Sequence, residues 1–222
     1  METPSAAVTI TVELPDVQLG VVEAEQARVA PASAELVREM DATCERLRRE
    51  LSVEQVAALE SIRGVRAMFR AWGVDPARYR PSAEALLRRV AQGKGLYRVS
   101  NVVDISNLGS IETGWPYGSY NRAAIEPPVV LRLGVAGEKY EGIGKRTWHL
   151  DRRPVLADGQ GPFGSPISDS VRTMITEASA AVLTVIFAPA NAIALEQALE
   201  RHARRLERFA GTKAVRTAVL AR

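Results

Sequence analysis

The sequence contains very little cysteine or histidine, and this shortage limits the disulfides and metal sites that the chain can form. Cys44 is the only cysteine, so no internal disulfide can form, which fits a reducing compartment. The only histidines, His149 and His202, lie far apart in the sequence, and no zinc-type ligand spacing exists within the chain. We therefore expect a protein that needs neither a metal nor another cofactor.

Long hydrophobic runs are also missing. The longest apolar stretch, residues 180–190, is interrupted by Thr184 and Pro189 and is shorter than the roughly 20 residues that a membrane helix requires. The first four residues, Met1-Glu2-Thr3-Pro4, lack the basic start and apolar stretch of a secretion signal. These features predict a cytoplasmic protein with no membrane partner.

Aromatic residues make up only 5% of the 222 residues, so aliphatic side chains must fill most of a core. We expect one domain, with N-terminal strands and helices in 1–78, a central part in 79–189 and a C-terminal helix and tail in 190–222. Helices come early, strands later and a helix last, an order typical of an α+β fold. Predicted strands cover 8–14, 17–25, 129–135, 154–157 and 181–187, and predicted helices start near 33, 52, 81, 102 and 191.

The charge distribution is uneven. Residues 62–98 contain nine basic and two acidic residues, although the net charge of the whole chain is only +3. Such a segment is either a footprint for an anion such as RNA or an ordinary solvated surface, and charge alone leaves both open. If RNA binds here, the candidate contacts are Arg63, Arg66, Arg78, Arg88, Arg89 and Lys94.

Two glycine-containing segments are predicted to be loops. Residues 114–128 contain two glycines and three prolines. Residues 159–164 match the dinucleotide-binding pattern G-x-G-x-x-G, but Pro162, Ser165 and Pro166 argue against the helix that the pattern requires. We expect a mobile loop over a cleft there.

Polar residues recur every three positions at Asp104, Asn107 and Ser110, which places them roughly along one side of a helix. Such residues are most often caps or satisfied hydrogen bonds, so a structural role stands beside a substrate role. His149, next to Trp148 in a polar stretch, is a candidate general base, with a structural role as the alternative.

Several segments are similar to a known family. Residues 101–107 (NVVDISN), followed by 114–121 (GWPYGSYN), resemble the editing module of the bacterial phenylalanyl-tRNA synthetase beta subunit, its third and fourth domains. Residues 172–177 running into 182–183 resemble the closing strands of that module, and 80–86 with 89–94 resemble an entry segment of freestanding relatives. The resemblance covers 79–189.

The resemblance implies an α+β fold with mixed and antiparallel sheet layers, flanking helices and a central cleft. It implies a tRNA-binding, trans-editing deacylase that serves translation fidelity by hydrolysing mischarged aminoacyl-tRNA, with no DNA partner. Gly118 stands where the synthetases have a pocket histidine, and residues 165–170 replace their glycine-rich turn. A non-catalytic RNA-binding module with the same fold is therefore the alternative, and whether the chain is an enzyme stays open.

An aminoacyl ester is already activated, so an editing cleft has only to orient the ester and a water. By the resemblance, Asn107, Thr173 and His149 are the candidate catalytic residues. Asp169 is expected to bind the substrate ammonium or to pair with Arg172. The candidate substrate-binding residues are Ser110, Tyr120, Asn121, Asp169 and Arg172. The amino acid, the tRNA and the oligomeric state are left open.

Overall fold

The computed structural model describes residues 8–144 and 146–222, which contain ten strands and five α-helices. In chain order these are β1 (Ile10–Val12), β2 (Val17–Glu25), α1 (Ala34–Glu50), α2 (Glu60–Ala71), α3 (Ser82–Ala91), α4 (Asn101–Thr113), β3 (Tyr117–Asn121), β4 (Val129–Leu133), β5 (Lys139–Gly142), β6 (Arg146–His149), β7 (Pro154–Asp158), β8 (Gly161–Gly164), β9 (Val182–Pro189), α5 (Leu195–Ala210) and β10 (Lys213–Ala221). Short 3₁₀ turns occupy 55–58, 122–124 and 171–173.

The strands form two four-stranded sheets and one two-stranded ribbon. The first sheet has the order β1-β4-β7-β8 and is mixed, because β1 runs parallel to β4. The second has the order β10-β2-β9-β3 and is antiparallel throughout, and β5 pairs with β6. The predicted α+β class is confirmed. Within residues 8–144 and 146–222, no helix is both long and apolar enough to cross a membrane.

Strand β9 lies inside the second sheet and is buried along all eight residues, as its apolar sequence predicts for a central strand. Helix α5 packs on the neighbouring strand β2 at Gly20. A Cβ at Gly20 would lie 2.8 Å from a methyl of Leu195 and 3.0 Å from a methyl of Leu199. The missing side chain therefore lets the helix approach the sheet closely.

The predicted helix signals are largely confirmed. Ser33 caps α1 by accepting a hydrogen bond from the Leu36 N–H at 3.2 Å. Ser52 and Gln55 form the reciprocal capping box, with bonds of 2.8 and 3.4 Å, although this box starts a 3₁₀ turn and α2 begins only at Glu60. Gly211 ends α5 with a φ of 65°.

Three predictions about irregular segments are wrong. Residues 114–128, predicted as a loop, contain β3, which pairs with β9 along its whole length. Residues 159–164 are the turn and second strand of the β7–β8 hairpin and not a mobile loop, whereas the expected lack of a dinucleotide-binding helix directly after them is confirmed. The expected C-terminal tail is β10, paired with β2. For β3 and β10, pairing with a strand distant in the chain overrides the local signal, and for β8 the neighbouring strand β7 does so.

The helical layer is tied together by a buried acid. Glu84 on α3 is fully buried, and its carboxylate lies 3.0 Å from Arg66 Nε of α2 and 3.2 Å from Arg88 Nε of α3. Arg80 lies 3.8 Å away. Two or more guanidinium groups around one carboxylate compensate its loss of hydration, so this contact holds α2 against α3.

We expect Glu84→Ala to lower the free energy of unfolding by about 2 kcal/mol, because it leaves the arginines without their counter-ion. Breaking a fully buried ion pair costs about 3–5 kcal/mol. The loss here is smaller because the arginines keep some contact with solvent. Urea denaturation measures this. The control is Glu45→Ala, which removes an exposed partner of Arg48 and should change stability by less than about 1 kcal/mol. Equal effects of the two substitutions would contradict the role of Glu84.

Candidate functional site

Tyr120 connects the two sheets. It lies on β3 of the second sheet, is fully buried, and donates a hydrogen bond of 2.8 Å to Asp169 in the segment that follows β8. Its ring packs edge-on against Phe163 of β8, with centroids 5.0 Å apart. A Cβ at either Gly118 or Gly164 would collide with the Tyr120 ring or hydroxyl. The two glycines therefore create the space that the phenol fills.

Asp169 ends a tightly bonded turn. Its Oδ1 accepts from the Tyr120 hydroxyl and from the Ser165 N–H at 3.2 Å. The Ser165 hydroxyl donates to the Ser168 carbonyl at 2.6 Å and accepts from the Ser168 N–H at 3.0 Å. The Tyr140 hydroxyl donates to the same carbonyl at 2.5 Å. These bonds fix the conformation of the 165–169 turn.

Burial raises the pKa of Asp169 to about 7, against the opposing effect of the hydrogen bonds from Tyr120 and Ser165. Burial also raises the pKa of Tyr120 well above its usual range, and the neighbouring Asp169 adds to that rise. The phenol thus stays protonated and donates, while the carboxyl changes its charge close to neutral pH.

Asp169 lies in a cleft of about 630 Å³. Helix α3 and the segment after it form one side, α4 and the start of β3 form the base, and the 165–169 turn with the tip of the β5–β6 hairpin forms the other side. The lining residues are Arg80, Ser82, Ala85, Leu86, Arg88, Arg89, Gln92, Lys94, Tyr97, Val99, Val103, Asn107, Tyr117, Ile143, Ser165, Ile167, Ser168 and Asp169.

Helix α4 directs Asn107 into this cleft. Ser100 caps the helix by accepting from the Val103 N–H, and Val103 and Asn107, one turn apart, are half-buried while their neighbours on the helix are buried. Within the described part of the chain, neither the Asn107 amide nor Asp169 Oδ2 has a hydrogen-bond partner. The cleft therefore offers an amide and a carboxylate oxygen with unused hydrogen-bonding capacity.

Several of the polar residues singled out in the sequence form hydrogen bonds inside the protein. Ser110 is buried and donates to the Trp115 carbonyl at 2.7 Å, and Thr173 is fully buried with its hydroxyl 3.4 Å from the Phe163 carbonyl. Asp104 accepts from the Val99 N–H at 2.9 Å in front of α4. None of the three lines the cleft, because each polar group is turned towards backbone inside the protein.

The remaining predicted residues also lie outside the cleft. Arg172 pairs with Asp158 at 2.8 and 3.1 Å and not with Asp169, because Asp158 at the end of β7 faces it directly. Asn121 accepts from the Ala123 N–H at 3.3 Å in a 3₁₀ turn. His149 is exposed on β6 and does not line the cleft. Of the predicted catalytic and substrate-binding residues, the cleft is lined by Asn107 and Asp169, with Tyr120 behind Asp169.

Only some of the predicted RNA-binding residues line the cleft. Arg88, Arg89 and Lys94 line the cleft, together with Arg80, which the sequence analysis left out. Arg66 pairs with Glu84. The others lie elsewhere: Arg63 lines a separate groove of about 530 Å³ against residues 189–194, and Arg78 lies 5.2 Å from the Tyr79 ring.

Sequence reasoning did not find Tyr97, Tyr117, Ser165 or Ile143 as cleft residues. Ile143 and Ser165 reach the cleft only through the hairpin and the turn, and nothing in their local sequence marks them. No group of three or more histidine, cysteine or acidic side chains is placed to hold a metal ion in residues 8–144 and 146–222.

Together the fold and the cleft define an α+β protein whose cleft carries an amide and a carboxyl group, with cationic residues from α3 and the segment after it along one side. The family model of the B3/4 domain matches residues 64–219, and the chain belongs to this family. Two curated relatives are phenylalanine–tRNA ligase beta subunits, from Thermobifida fusca (31% identical over 113 residues, 50% of this chain) and from Streptomyces avermitilis (28% over 134 residues, 59% of this chain). The matches span only 13% and 16% of those ligase subunits.

One solved structure is similar over the whole chain. It is an N-terminal fragment of the phenylalanyl-tRNA synthetase beta subunit from Pyrococcus horikoshii, with 14% identity and a TM-score of 0.47, and 56% of that chain is covered.

Asp169 should give the protein a distinctive pH dependence. Its carboxyl keeps a proton in the folded state up to about pH 7 but loses it near pH 4 when unfolded, so its stabilising contribution is lost as the pH rises from about 4 to 7. His202 acts oppositely, because burial lowers its pKa to about 3, and its contribution is lost as the pH falls below about 6.5.

We therefore expect Asp169→Asn to gain stability relative to wild type as the pH rises from about 4 to 7, while the His202 contribution cancels in the comparison. Melting temperatures of both proteins across this range measure the difference. The substitution of the exposed Asp151 by Asn is the matched control, because it removes a carboxyl that is not buried. A constant offset for Asp169→Asn would show that this carboxyl is not perturbed.

Proposed function

We propose that this protein binds the aminoacylated 3′ end of tRNA in the cleft and hydrolyses a mischarged aminoacyl ester in trans. The observation that carries the proposal is that one cleft contains the Asn107 amide and Asp169, whose Oδ2 has no hydrogen-bond partner, together with cationic residues along α3 and after it. A polar floor suits an ester and an ammonium group, and a cationic rim suits phosphates. The amide, the carboxyl group and the cations all lie within one concave surface.

The similarity to the relatives supports the tRNA part of the proposal. Both curated relatives are named for an enzyme that joins an amino acid to tRNA, and the 31% identical segment covers half of this chain. The chain also belongs to the B3/4 domain family through residues 64–219, which include the whole cleft. A cytoplasmic location, where tRNA is charged and used, follows from the same proposal.

In the proposed reaction, water adds to the ester carbonyl and the bond from that carbon to the ribose oxygen breaks. The Asn107 amide donates to the oxygen on which negative charge develops. Asp169, held by Tyr120, accepts a hydrogen bond from the attacking water or from the substrate ammonium. The departing ribose oxygen takes up a proton, and the products are a free amino acid and an uncharged tRNA.

The pocket residue that the synthetases have at position 118 is not kept in this chain. The Tyr120 phenol occupies the space that a side chain at position 118 would need, so the histidine of the synthetase pattern has no room here. This departure favours the second candidate function, a non-catalytic RNA-binding module. A panel of mischarged tRNAs distinguishes the deacylase from the non-catalytic module. A protein that binds these tRNAs but releases no amino acid from any of them is the non-catalytic RNA-binding module.

We expect Asn107→Ala to reduce the deacylation rate about a hundredfold, the effect of roughly 3 kcal/mol typical of one lost oxyanion donor, with an unchanged melting temperature. Single-turnover hydrolysis of a mischarged tRNA measures the rate. Ser110→Ala is the matched control on the same helix: it breaks the buried bond to Trp115, should cost about 1–3 kcal/mol of stability, and should keep the rate of the folded protein. If Asn107→Ala behaves like Ser110→Ala, Asn107 is structural.

The rim makes tRNA binding salt-dependent. If Arg80, Arg88, Arg89 and Lys94 each contact a phosphate, log affinity should fall against log salt with a slope of roughly −3. Lys94→Ala should weaken binding and make that slope shallower by about 1. Arg46→Ala, which removes an exposed partner of Glu50 on α1, is the control and should leave the slope unchanged. A binding constant independent of salt would contradict the rim assignment.

A further inference from the structure

The mouth of the cleft is unusually apolar for an exposed surface. Tyr97, Val99 and Ile143 are 53%, 63% and 54% exposed. They come from two distant parts of the chain, the segment before α4 and the tip of the β5–β6 hairpin, and all three line the same cleft. Exposed apolar side chains that converge on one concave site indicate a ligand with an apolar surface.

Tyr97 also has a cationic neighbour of defined geometry. The Arg89 guanidinium carbon lies 4.0 Å from the centre of the Tyr97 ring, and Arg89 is held in place by a 3.4 Å bond to the Lys94 carbonyl. The cation therefore covers one side of the ring, and the high exposure of the residue leaves the other side open. Such a ring is an oriented, flat platform.

A flat aromatic platform beside aliphatic side chains and cations fits one type of chemistry well. Unpaired nucleobases have apolar faces that stack on aromatic rings, while the phosphates next to them need positive charge. Bases inside a duplex cannot use such a platform, because both of their faces are already stacked. Lys94, three residues before Tyr97 and in the same cleft, supplies a charge for the backbone.

We propose that Tyr97 is the stacking platform for an unpaired base at the 3′ end of RNA, with Val99 and Ile143 enclosing that base at the mouth of the cleft. The inference rests on the proposed function and makes it more specific: the protein recognises a single-stranded end and not the helical body of a tRNA. The base lies at the apolar mouth, and the terminal ribose and its acyl group extend towards Asn107 and Asp169 on the polar floor.

The probe for the test is a seven-nucleotide single-stranded RNA ending in CCA, with fluorescence anisotropy as the readout. Tyr97→Ala should weaken its binding about ten- to hundredfold, the loss typical of one stacked base. Tyr97→Phe and Tyr97→Trp should retain binding, because both keep a flat ring. The slope of log affinity against log salt should stay that of wild type in Tyr97→Ala, since no phosphate contact is removed.

The control is Val135→Ala, which truncates an equally exposed hydrophobic residue, 58% exposed, outside the cleft and should leave binding unchanged. Three results would overturn the inference: wild-type affinity of Tyr97→Ala, equal affinity for a blunt duplex of the same strand, or equally tight binding of AMP, which would indicate a free-nucleotide site. Failure of the deacylase proposal is distinguishable, because Tyr97-dependent binding of the oligonucleotide would then persist in a protein that releases no amino acid.

Discussion

The hydrogen bond from Tyr120 to Asp169 is the contact on which the cleft depends, because it joins β3 of one sheet to the turn that follows β8 of the other. The bond requires a fully buried phenol, and that phenol requires glycine at both 118 and 164. The same burial raises the pKa of Asp169 to about 7, and Asp169 lines the cleft with its second oxygen free of hydrogen bonds from the described part of the chain. The burial of this one phenol thus determines the shape of the cleft near Asp169 and the charge and pKa of the Asp169 carboxyl.

The positive charge of the molecule is only partly available to a ligand. Glu84 engages Arg66 and Arg88, and Arg205 on α5 is held between Glu39 and Glu112 at 2.6 and 2.7 Å. A guanidinium paired with a carboxylate attracts a phosphate less strongly than an unpaired one. The basic segment of the sequence therefore forms an ion network around Glu84, and it also places Arg80, Arg88, Arg89 and Lys94 along the cleft.

The three evenly spaced polar residues of α4 have different surroundings in the structure. Successive steps of three residues turn by about 60° around a helix axis, so the positions of Asp104, Asn107 and Ser110 are spread over about 120°. The first binds the backbone before the helix, the last binds the backbone after it, and Asn107 alone faces the cleft. The sequence pattern correctly identified the helix, and only one of its three polar groups lines the cleft.

The sequence by itself determined the α+β class, the helices with the Ser33 cap of α1, the central strand β9 and the position of Asn107 on a helix, because these follow from local periodicity, capping and apolar content. The tertiary structure alone decided that β3 and β10 are strands, that Arg172 pairs with Asp158, and that Tyr97 and Ile143 meet at one cleft. These features depend on pairing between residues far apart in the chain. The composition of either segment alone does not predict the energy of such pairing.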